Sequence, residues 1–567
     1  MGTSSAALFK NGDLIAAIEE ERLTRKKNDN SFPHLSIDEV LDIAGISLKD
    51  VSVVAVYWKP WKILTRAKGT LKKIFLSSDS RKSILKRAKE LFTSSSKNND
   101  GSWLDLFFIK NILLKKDSQF IGKVKYFDHH LTHQKYGEAI KNWKNFISLS
   151  FDGGGESDST VLTVVNNGRK EVLLKHKWPN SLGHFYSTFT GFLGFKMLEG
   201  EYKMMGLAPY GKPKFKRKIL SKILILKNNG EYRLNTKICD YHSALKGHFN
   251  EEFFRLFGEK RSEDQTPSQD HIDIACSVQE AFEDCLKHIL KPALKKYPNI
   301  KKLVISGGCA LNVTANGKLI SSNFVDEVII PPAPHDAGCS IGAGLLSIKN
   351  NINLESVRNP YLGRNFSDKA IFEELSRHCK NQLNKLEENQ LIDLTVEYLI
   401  DGKLIGWFQG GAEFGPRALG ARSFLADPRN DKIRDDINRK IKKRELFRPF
   451  APSVLEEESE NIFELNQNSP YMNIIAKVKS LDIPAVTHID RTARVHTVSK
   501  QSHERYHKLI KKFGDRTGIP VLLNTSFNVQ EPIVYSPRDA VNTFIKSEVD
   551  ILVIGDYLLT RYDLLLN

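Results

Sequence analysis

Ile147-Ser148-Leu149-Ser150-Phe151-Asp152-Gly153-Gly154-Gly155-Glu156 begins as a run of apolar and small residues, reaches an acid and breaks on three glycines. The run reads as a buried strand and the glycines as a tight turn, with Thr160-Val161-Leu162-Thr163-Val164-Val165 as a second strand. The pattern recurs downstream. Lys302-Leu303-Val304-Ile305 runs into Ser306-Gly307-Gly308-Cys309-Ala310-Leu311-Asn312, and Val328-Ile329-Ile330 into Pro331-Pro332-Ala333-Pro334-His335-Asp336-Ala337-Gly338, each followed by a predicted helix. Strands, glycine-rich junctions and helices in alternation indicate an α/β fold.

A polar stretch at residues 350–363 interrupts this rhythm and marks a domain boundary. Beyond it a helix ending near Asp401-Gly402 precedes the strand Leu404-Ile405-Gly406-Trp407-Phe408, and Val521-Leu522-Leu523 is the next strand core. Ser536-Pro537-Arg538-Asp539 places serine at the N-cap, proline at N1 and an acid at N3, so a helix runs through Phe544, ahead of the strand Ile551-Leu552-Val553-Ile554. At the amino end, Ala6-Ala7-Leu8-Phe9, the turn Asn11-Gly12 and Leu14-Ile15-Ala16-Ala17-Ile18 read as a hairpin. Few residues precede Ser5, so the first strand is expected to be cut short.

The 567 residues are 41% hydrophobic, 10% aromatic and 27% charged, which fits two to four globular domains and excludes a disordered chain, a coiled coil or a collagen-like protein. No run approaches the roughly 18 apolar residues of a membrane span. Six cysteines without a Cys-x-x-Cys pair indicate neither a disulfide scaffold nor a zinc ribbon, and with no secretion signal the expected location is cytoplasmic. Lys+Arg exceeds Asp+Glu by 84 − 67 = 17, which raises the question of an anionic partner. Much of that excess lies in residues 58–125, read as a solvated helical segment, with docking of an acidic acceptor or a membrane surface as the alternative.

His129 and His133 are four residues apart, so on a helix their imidazoles project from one face and can share a metal. Asp152 and Asp336 each end a predicted strand beside glycine-rich backbone, and a His₂Asp₂ set suits divalent iron, zinc or manganese. Gly153, Gly154 and Gly155, with Gly307 and Gly308, can offer backbone N–H groups to phosphates, and two such turns in one domain favour a nucleotide clasp. In the carboxyl-terminal part, Arg417, Arg448 and Arg494 sit beside glycine, proline and strand ends, and their planar donor forks suit phosphate and carbamate oxygens. Asn524, Ser526 and Asn528 add neutral donors beyond a strand. This arrangement reads as a pocket rather than a nucleic-acid footprint.

Nine ordered segments resemble the NodU/CmcH-type O-carbamoyltransferase family, which includes nodulation, cephalosporin and aminoglycoside carbamoyltransferases. They are Glu19-Glu20-Glu21-Arg22-Leu23-Thr24-Arg25-Lys26-Lys27, residues 129–133, 151–156, Glu201-Tyr202-Lys203-Met204-Met205-Gly206-Leu207-Ala208-Pro209-Tyr210-Gly211, residues 306–312 and 335–338, residues 413–422 with Gly415-Pro416-Arg417-Ala418-Leu419-Gly420-Ala421-Arg422, Arg448-Pro449-Phe450-Ala451-Pro452, and Leu523-Asn524-Thr525-Ser526-Phe527-Asn528. The resemblance spans essentially the whole chain. It implies an actin/sugar-kinase-like (TsaD-like) domain over residues 1–350, containing the basic segment 58–125, and a YrdC-like α/β domain over residues 364–567.

It also implies two stages of chemistry. The YrdC-like domain would form carbamoyl adenylate from carbamoyl phosphate and ATP, held by Arg417, Arg448, Arg494, Asn524, Ser526 and Asn528. The TsaD-like domain would bind that intermediate with Gly153, Gly154, Gly155, Gly307, Gly308 and Asn312 and with a metal on His129, His133, Asp152 and Asp336, while a hydroxyl of a small-molecule or glycan acceptor attacks. Lys27, His129, Asp152, Arg417 and Arg448 are the implied catalytic residues, Fe(II) the implied metal, and Mg the ion accompanying ATP. An adenylate hydrolyses in water, so linked domains with an enclosed passage are expected. Gly2-Thr3 stand where the family carries His-Asp, and Asn28 where histidine is frequent, which puts the transfer step in question rather than adenylation. The rival readings are a threonylcarbamoyl-type tRNA-modifying enzyme, which the basic charge would suit, and a catalytically impaired nucleotide-binding homologue.

Overall fold

The apolar run around Leu149 forms the strand Phe146–Phe151, buried along its whole length in a five-stranded mixed sheet. The strand order is Glu327–Ile329, Lys302–Ser306, Phe146–Phe151, Asp158–Asn166, Arg169–Lys177. The first three are parallel and the last two pair antiparallel. Arg169–Lys177 had no counterpart in the sequence reading. Its sequence is mostly polar and its exposure alternates, as suits a charged edge strand. Against this sheet packs the 28-residue helix Gln269–Lys296, whose buried Ile274, Val278, Phe282 and Ile289 recur at helical spacing, with the Phe282 ring 6.1 Å from that of Phe151.

The computed structural model describes residues 3–62, 103–240, 248–349, 351–379 and 383–563. Much of the basic segment read over 58–125 lies outside the described residues. At its margins are the short turn Trp103–Phe107, the helix Ile109–Lys116, and the strand Lys123–Tyr126 paired in parallel with Val53–Val56. No helix among the described residues is long and apolar enough to cross a membrane.

The hairpin forms from Ser5–Lys10 and Asp13–Glu19, and both turn residues, Asn11 (φ 54°) and Gly12 (φ 94°), adopt the left-handed backbone that a two-residue hairpin turn requires. The two glycine-rich junctions after Ser306 and His335 do not enter α-helix directly. Each first makes a 3₁₀ turn, Gly308–Leu311 and Asp336–Gly338, before Val313–Ser321 and Cys339–Ser347.

The chain divides into two compact units, Met1–Ile15 with Asn28–Arg358, and Ala16–Lys27 with Asn359–Asn567. The second unit is built on a nine-stranded mixed sheet ordered Phe463–Glu464, Ile474–Val478, Thr492–Val498, Ala451–Leu455, Val521–Ser526, Arg422–Ala426, Ile405–Phe408, Ile551–Ile554, Tyr557–Thr560. Trp407, Leu522 and Val553 meet Val396 of helix Glu388–Ile400 and Phe513 of helix Glu504–Thr517 in its core. The helix Pro537–Lys546 starts with a capping box: the Asp539 amide donates to Ser536 Oγ at 3.2 Å, and the Ser536 amide to Asp539 Oδ2 at 2.9 Å.

Candidate functional site

In the first unit the helix His129–Ala139 begins on its first histidine. The buried carboxylate of Glu156, the acid that closes the glycine turn, accepts from the His129 amide at 3.2 Å and the Lys59 amide at 2.9 Å, placing negative charge at the helix N-terminus. Asp128, at the N-cap, accepts from Lys59 Nζ at 2.6 Å and also pairs with Lys62. The helix so anchored carries His129 and His133 on one face, with their Nε2 atoms 3.2 Å apart. Asp152 Oδ2 lies 3.2 Å from each of these nitrogens, and Asp336 Oδ1 lies 3.7 Å and 3.6 Å away.

Both imidazoles are fully buried, and burial by itself would discharge them. Cys339 and the two aspartates outweigh it, raising His129 to about 10 and His133 well above its ordinary value. Burial would raise the Asp152 carboxyl, yet hydrogen bonds from His129 and His133 and their charge hold it well below the usual carboxylate range. His130 turns the other way, to Ser150 Oγ at 2.7 Å and the Asp158 carbonyl at 2.9 Å, and burial lowers it to about 3. It is a neutral structural histidine.

The donor set fits a divalent ion. Ligands held 2.0–2.1 Å from an ion at tetrahedral angles lie about 3.3 Å apart, close to the separations found among the two imidazoles and Asp152. Without an ion, two buried nitrogens face each other at 3.2 Å between carboxylates.

The glycine turns let backbone approach this cluster. Phe146–Phe151 and Lys302–Ser306 lie in parallel with Ser150 beside Ser306, so both turns leave the same edge of the sheet. Gly307 has φ 92°, and a side chain there would come within 2.1 Å of the Phe151 carbonyl. A Cβ on Gly308 would meet Asp152 Oδ1 at 2.9 Å, and one on Gly155 would lie 3.1 Å from the rings of His129 and His130. The Gly153 amide donates to Asp152 Oδ1 at 2.6 Å, and Gly154, next along the turn, has φ 154°. Asn312 is engaged elsewhere: it caps Val313–Ser321 through the Ala315 amide and exchanges hydrogen bonds with Gln279. The sequence reading missed Glu156 as an anchor, and Tyr57, Trp58 and Cys339 as neighbours of the cluster. The Trp58 ring centroid is 4.9 Å from that of His129 and the Tyr57 centroid 5.8 Å. Burial pushes the Tyr57 hydroxyl up, with Asp336, Cys339 and Asp152 adding to the shift.

In the second unit the segment 415–422 wraps around the buried carboxylate of Glu413, whose Oε1 accepts from the amides of Leu419 and Ala421 at 2.8 Å and of Arg422 at 3.1 Å. Arg422 is interior: its guanidinium donates to the Gln409 and Gly410 carbonyls and lies over the Phe408 ring. Asn524 braces the loop from behind, donating to the Ala418 carbonyl and Ser453 Oγ. Arg417 and Arg448 lie close enough to Arg494 for their charges to act on it. Burial depresses Arg494, and Arg417, Arg444 and Arg448 depress it further. Lys442 is fully wrapped, its ammonium donating to the carbonyls of Ser526 (2.6 Å) and Asn528 (2.7 Å) and to Asn528 Oδ1 (2.8 Å). Burial lowers it well below the usual lysine value, followed by the charges of Arg444, Lys27 and Arg448. Lys27, Arg417, Lys442, Arg444, Arg448 and Arg494 thus form one cationic cluster. Lys442 and Arg444 escaped the sequence reading because Arg439-Lys440-Ile441-Lys442-Lys443-Arg444 looks like a solvated charge run.

Residues 2–345 match the family described as Carbamoyltransferase N-terminus, and residues 396–561 match Carbamoyltransferase C-terminus. An uncharacterized protein of Synechocystis is 36% identical, covering 98% of this chain and 95% of that protein. The nodulation protein NolNO of Sinorhizobium fredii is also 36% identical, covering 99% of this chain and 79% of its own length. Among solved structures, component A of the (R)-2-hydroxyglutaryl-CoA dehydratase of Acidaminococcus fermentans is 14% identical with a TM-score of 0.32, covering 61% of this chain and 93% of that one.

Proposed function

This chain belongs to the carbamoyltransferase family, and from that premise we propose that it forms carbamoyl adenylate from carbamoyl phosphate and ATP and passes the carbamoyl group to a hydroxyl of a small molecule or glycan. In this reading the first unit is an actin/sugar-kinase-like (TsaD-like) transfer domain and the second a YrdC-like adenylate-forming domain. The observation that carries it is the cationic cluster of the second unit. Buried Lys442 and Arg494 and the four cations around them repel one another, and the phosphates of ATP and of carbamoyl phosphate would relieve that repulsion. Arg417, Arg448 and Arg494 grip phosphate oxygens through paired donors, while Lys442, fixed by Ser526 and Asn528, acts as a stationary point charge. Lys27 adds positive charge beside it.

Carbamate is a poor electrophile, and joining it to AMP supplies a good leaving group. In the first unit His129, His133, Asp152 and Asp336 would hold a divalent ion, Fe(II) in this reading, whose Lewis acidity stabilises charge on the carbamoyl carbonyl. Asp152, pinned between both imidazoles and the Gly153 amide, fixes the floor of the site. Glu156 holds the helix end that presents the histidines.

The test supplies labelled carbamoyl phosphate, ATP and a divalent ion, following pyrophosphate release and label transfer to a panel of hydroxyl compounds. Release of pyrophosphate is expected, and none would overturn adenylation. Asp152→Ala is expected to abolish transfer while leaving pyrophosphate release within about two- to threefold, the range of a change away from the reacting atoms. Equal loss of both would contradict the division of labour.

A further inference from the structure

Asp336 and Cys339 are three residues apart, in a 3₁₀ turn that leads into the helix Cys339–Ser347. Residues i and i+3 of such a turn project to the same side, so the thiol follows the carboxylate toward the histidine pair. Cys339 has no exposed surface and lies beside both imidazoles. Its sulfur and one nitrogen of each of His129 and His133 lie within 4.8 Å of one another, a ligand group complete without either carboxylate. Two sets of donors therefore converge on one pair of imidazoles, oxygen from Asp152 and Asp336 and sulfur from Cys339.

We propose that Cys339 can ligate a divalent ion at this centre, its thiolate joining the two imidazoles in a second donor set beside the one that the carboxylates complete. The proposal rests on the metal reading given above. On binding, the thiol gives its proton to solvent and the sulfur lone pair to the ion, with no change of oxidation state. Ligands at about 2.1 Å and 2.3 Å from one ion at tetrahedral angles lie about 3.6 Å apart, and the sulfur and the two nitrogens already lie within 4.8 Å of one another, so binding closes the group by at most about 1.2 Å. A thiolate changes which ion the centre prefers. Four nitrogen and oxygen donors accept manganese readily, whereas added sulfur favours iron, cobalt, zinc and cadmium over manganese and magnesium.

The test reconstitutes chelator-stripped full-length protein with cobalt(II) and measures bound cobalt by elemental analysis alongside the absorption spectrum. An intense near-ultraviolet sulfur-to-cobalt charge-transfer band is expected at one bound cobalt. Cys339→Ser should lose that band while keeping the visible cobalt bands and the bound metal. Its affinity for cadmium should fall about tenfold or more, since even an outer-shell partner contributes that much, with manganese affinity nearly unchanged. Bound cobalt without the band in the wild-type protein, or a band that survives in Cys339→Ser, overturns the ligand assignment alone. No bound cobalt in the wild-type protein overturns the His₂Asp₂ reading and this proposal with it. Should Cys339→Ser fail to fold by circular dichroism, X-ray absorption of the wild-type cobalt protein decides, a sulfur scatterer at about 2.3 Å being required.

Discussion

His129 and His130 are neighbours in the chain and opposites in charge. His129 shares its face of the helix with His133, where two carboxylates and a thiol raise it to about 10, while His130 faces a hydroxyl and a carbonyl and falls to about 3. The spacing of His129 and His133, and the placement of Asp152 and Asp336 at strand ends, were legible because periodicity dictates which side chains share a face. The protonation difference was not legible, since it depends on atoms brought in from distant segments. Its sign has a consequence. With the folded value raised from 6.5 to about 10, the proton on His129 stabilises the metal-free protein fully below pH 6.5, and that contribution is lost as pH rises toward 10. An incoming ion must displace that proton, so metal affinity should increase with pH across this interval. Calorimetric titration with zinc at pH 7.5 in buffers of different ionisation enthalpy should show at least about one proton released per ion. A heat independent of the buffer would contradict this electrostatic account.

At the scale of elements, the loop after strand Ile405–Phe408 shows why a motif can be read without its support. Gly415-Pro416-Arg417 was legible as a ligand loop, but the part that shapes it is Glu413, whose one oxygen collects three amides. Glu413→Ala leaves those buried donors unpaired, at about 1–3 kcal/mol each, so a loss of at least about 3 kcal/mol is expected as a lower urea midpoint with an unchanged slope. Glu413→Gln keeps a carbonyl acceptor and should recover most of it. A silent Glu413→Ala would show that the loop does not depend on this carboxylate. The capped helix at Pro537 and the strand Ile551–Ile554 were readable because caps and apolar runs are local signals. The strands Arg422–Ala426, Ala451–Leu455, Ile474–Val478 and Thr492–Val498 were missed: short segments with interior Arg, Pro or Lys carry little period of their own, and pairing with neighbours supplies the rest.

At the scale of the molecule, the segment Ala16–Lys27 belongs with residues more than three hundred positions away. Buried Arg22 donates to the Gly415 carbonyl at 2.6 Å and pairs with Glu19 at 2.9 Å. Arg25 reaches the Pro532 and Ile533 carbonyls, and Lys27 reaches the cationic cluster. A fragment of residues 359–567 alone therefore lacks one of its own internal pieces. It is expected to unfold at lower urea than the same fragment carrying residues 16–27 on a flexible linker, and to release no pyrophosphate; full activity of the shorter fragment would refute the dependence. The sequence by itself determined the α/β character, the family, and the histidine, aspartate and arginine positions around which both clusters form, because residue type, spacing and glycine punctuation are local properties of the chain. Only the tertiary structure decided that residues 16–27 complete the second unit, that Lys442 is a buried charge rather than a solvated one, and that Cys339 faces the histidine pair, because each depends on burial and pairing between segments that local pattern does not connect.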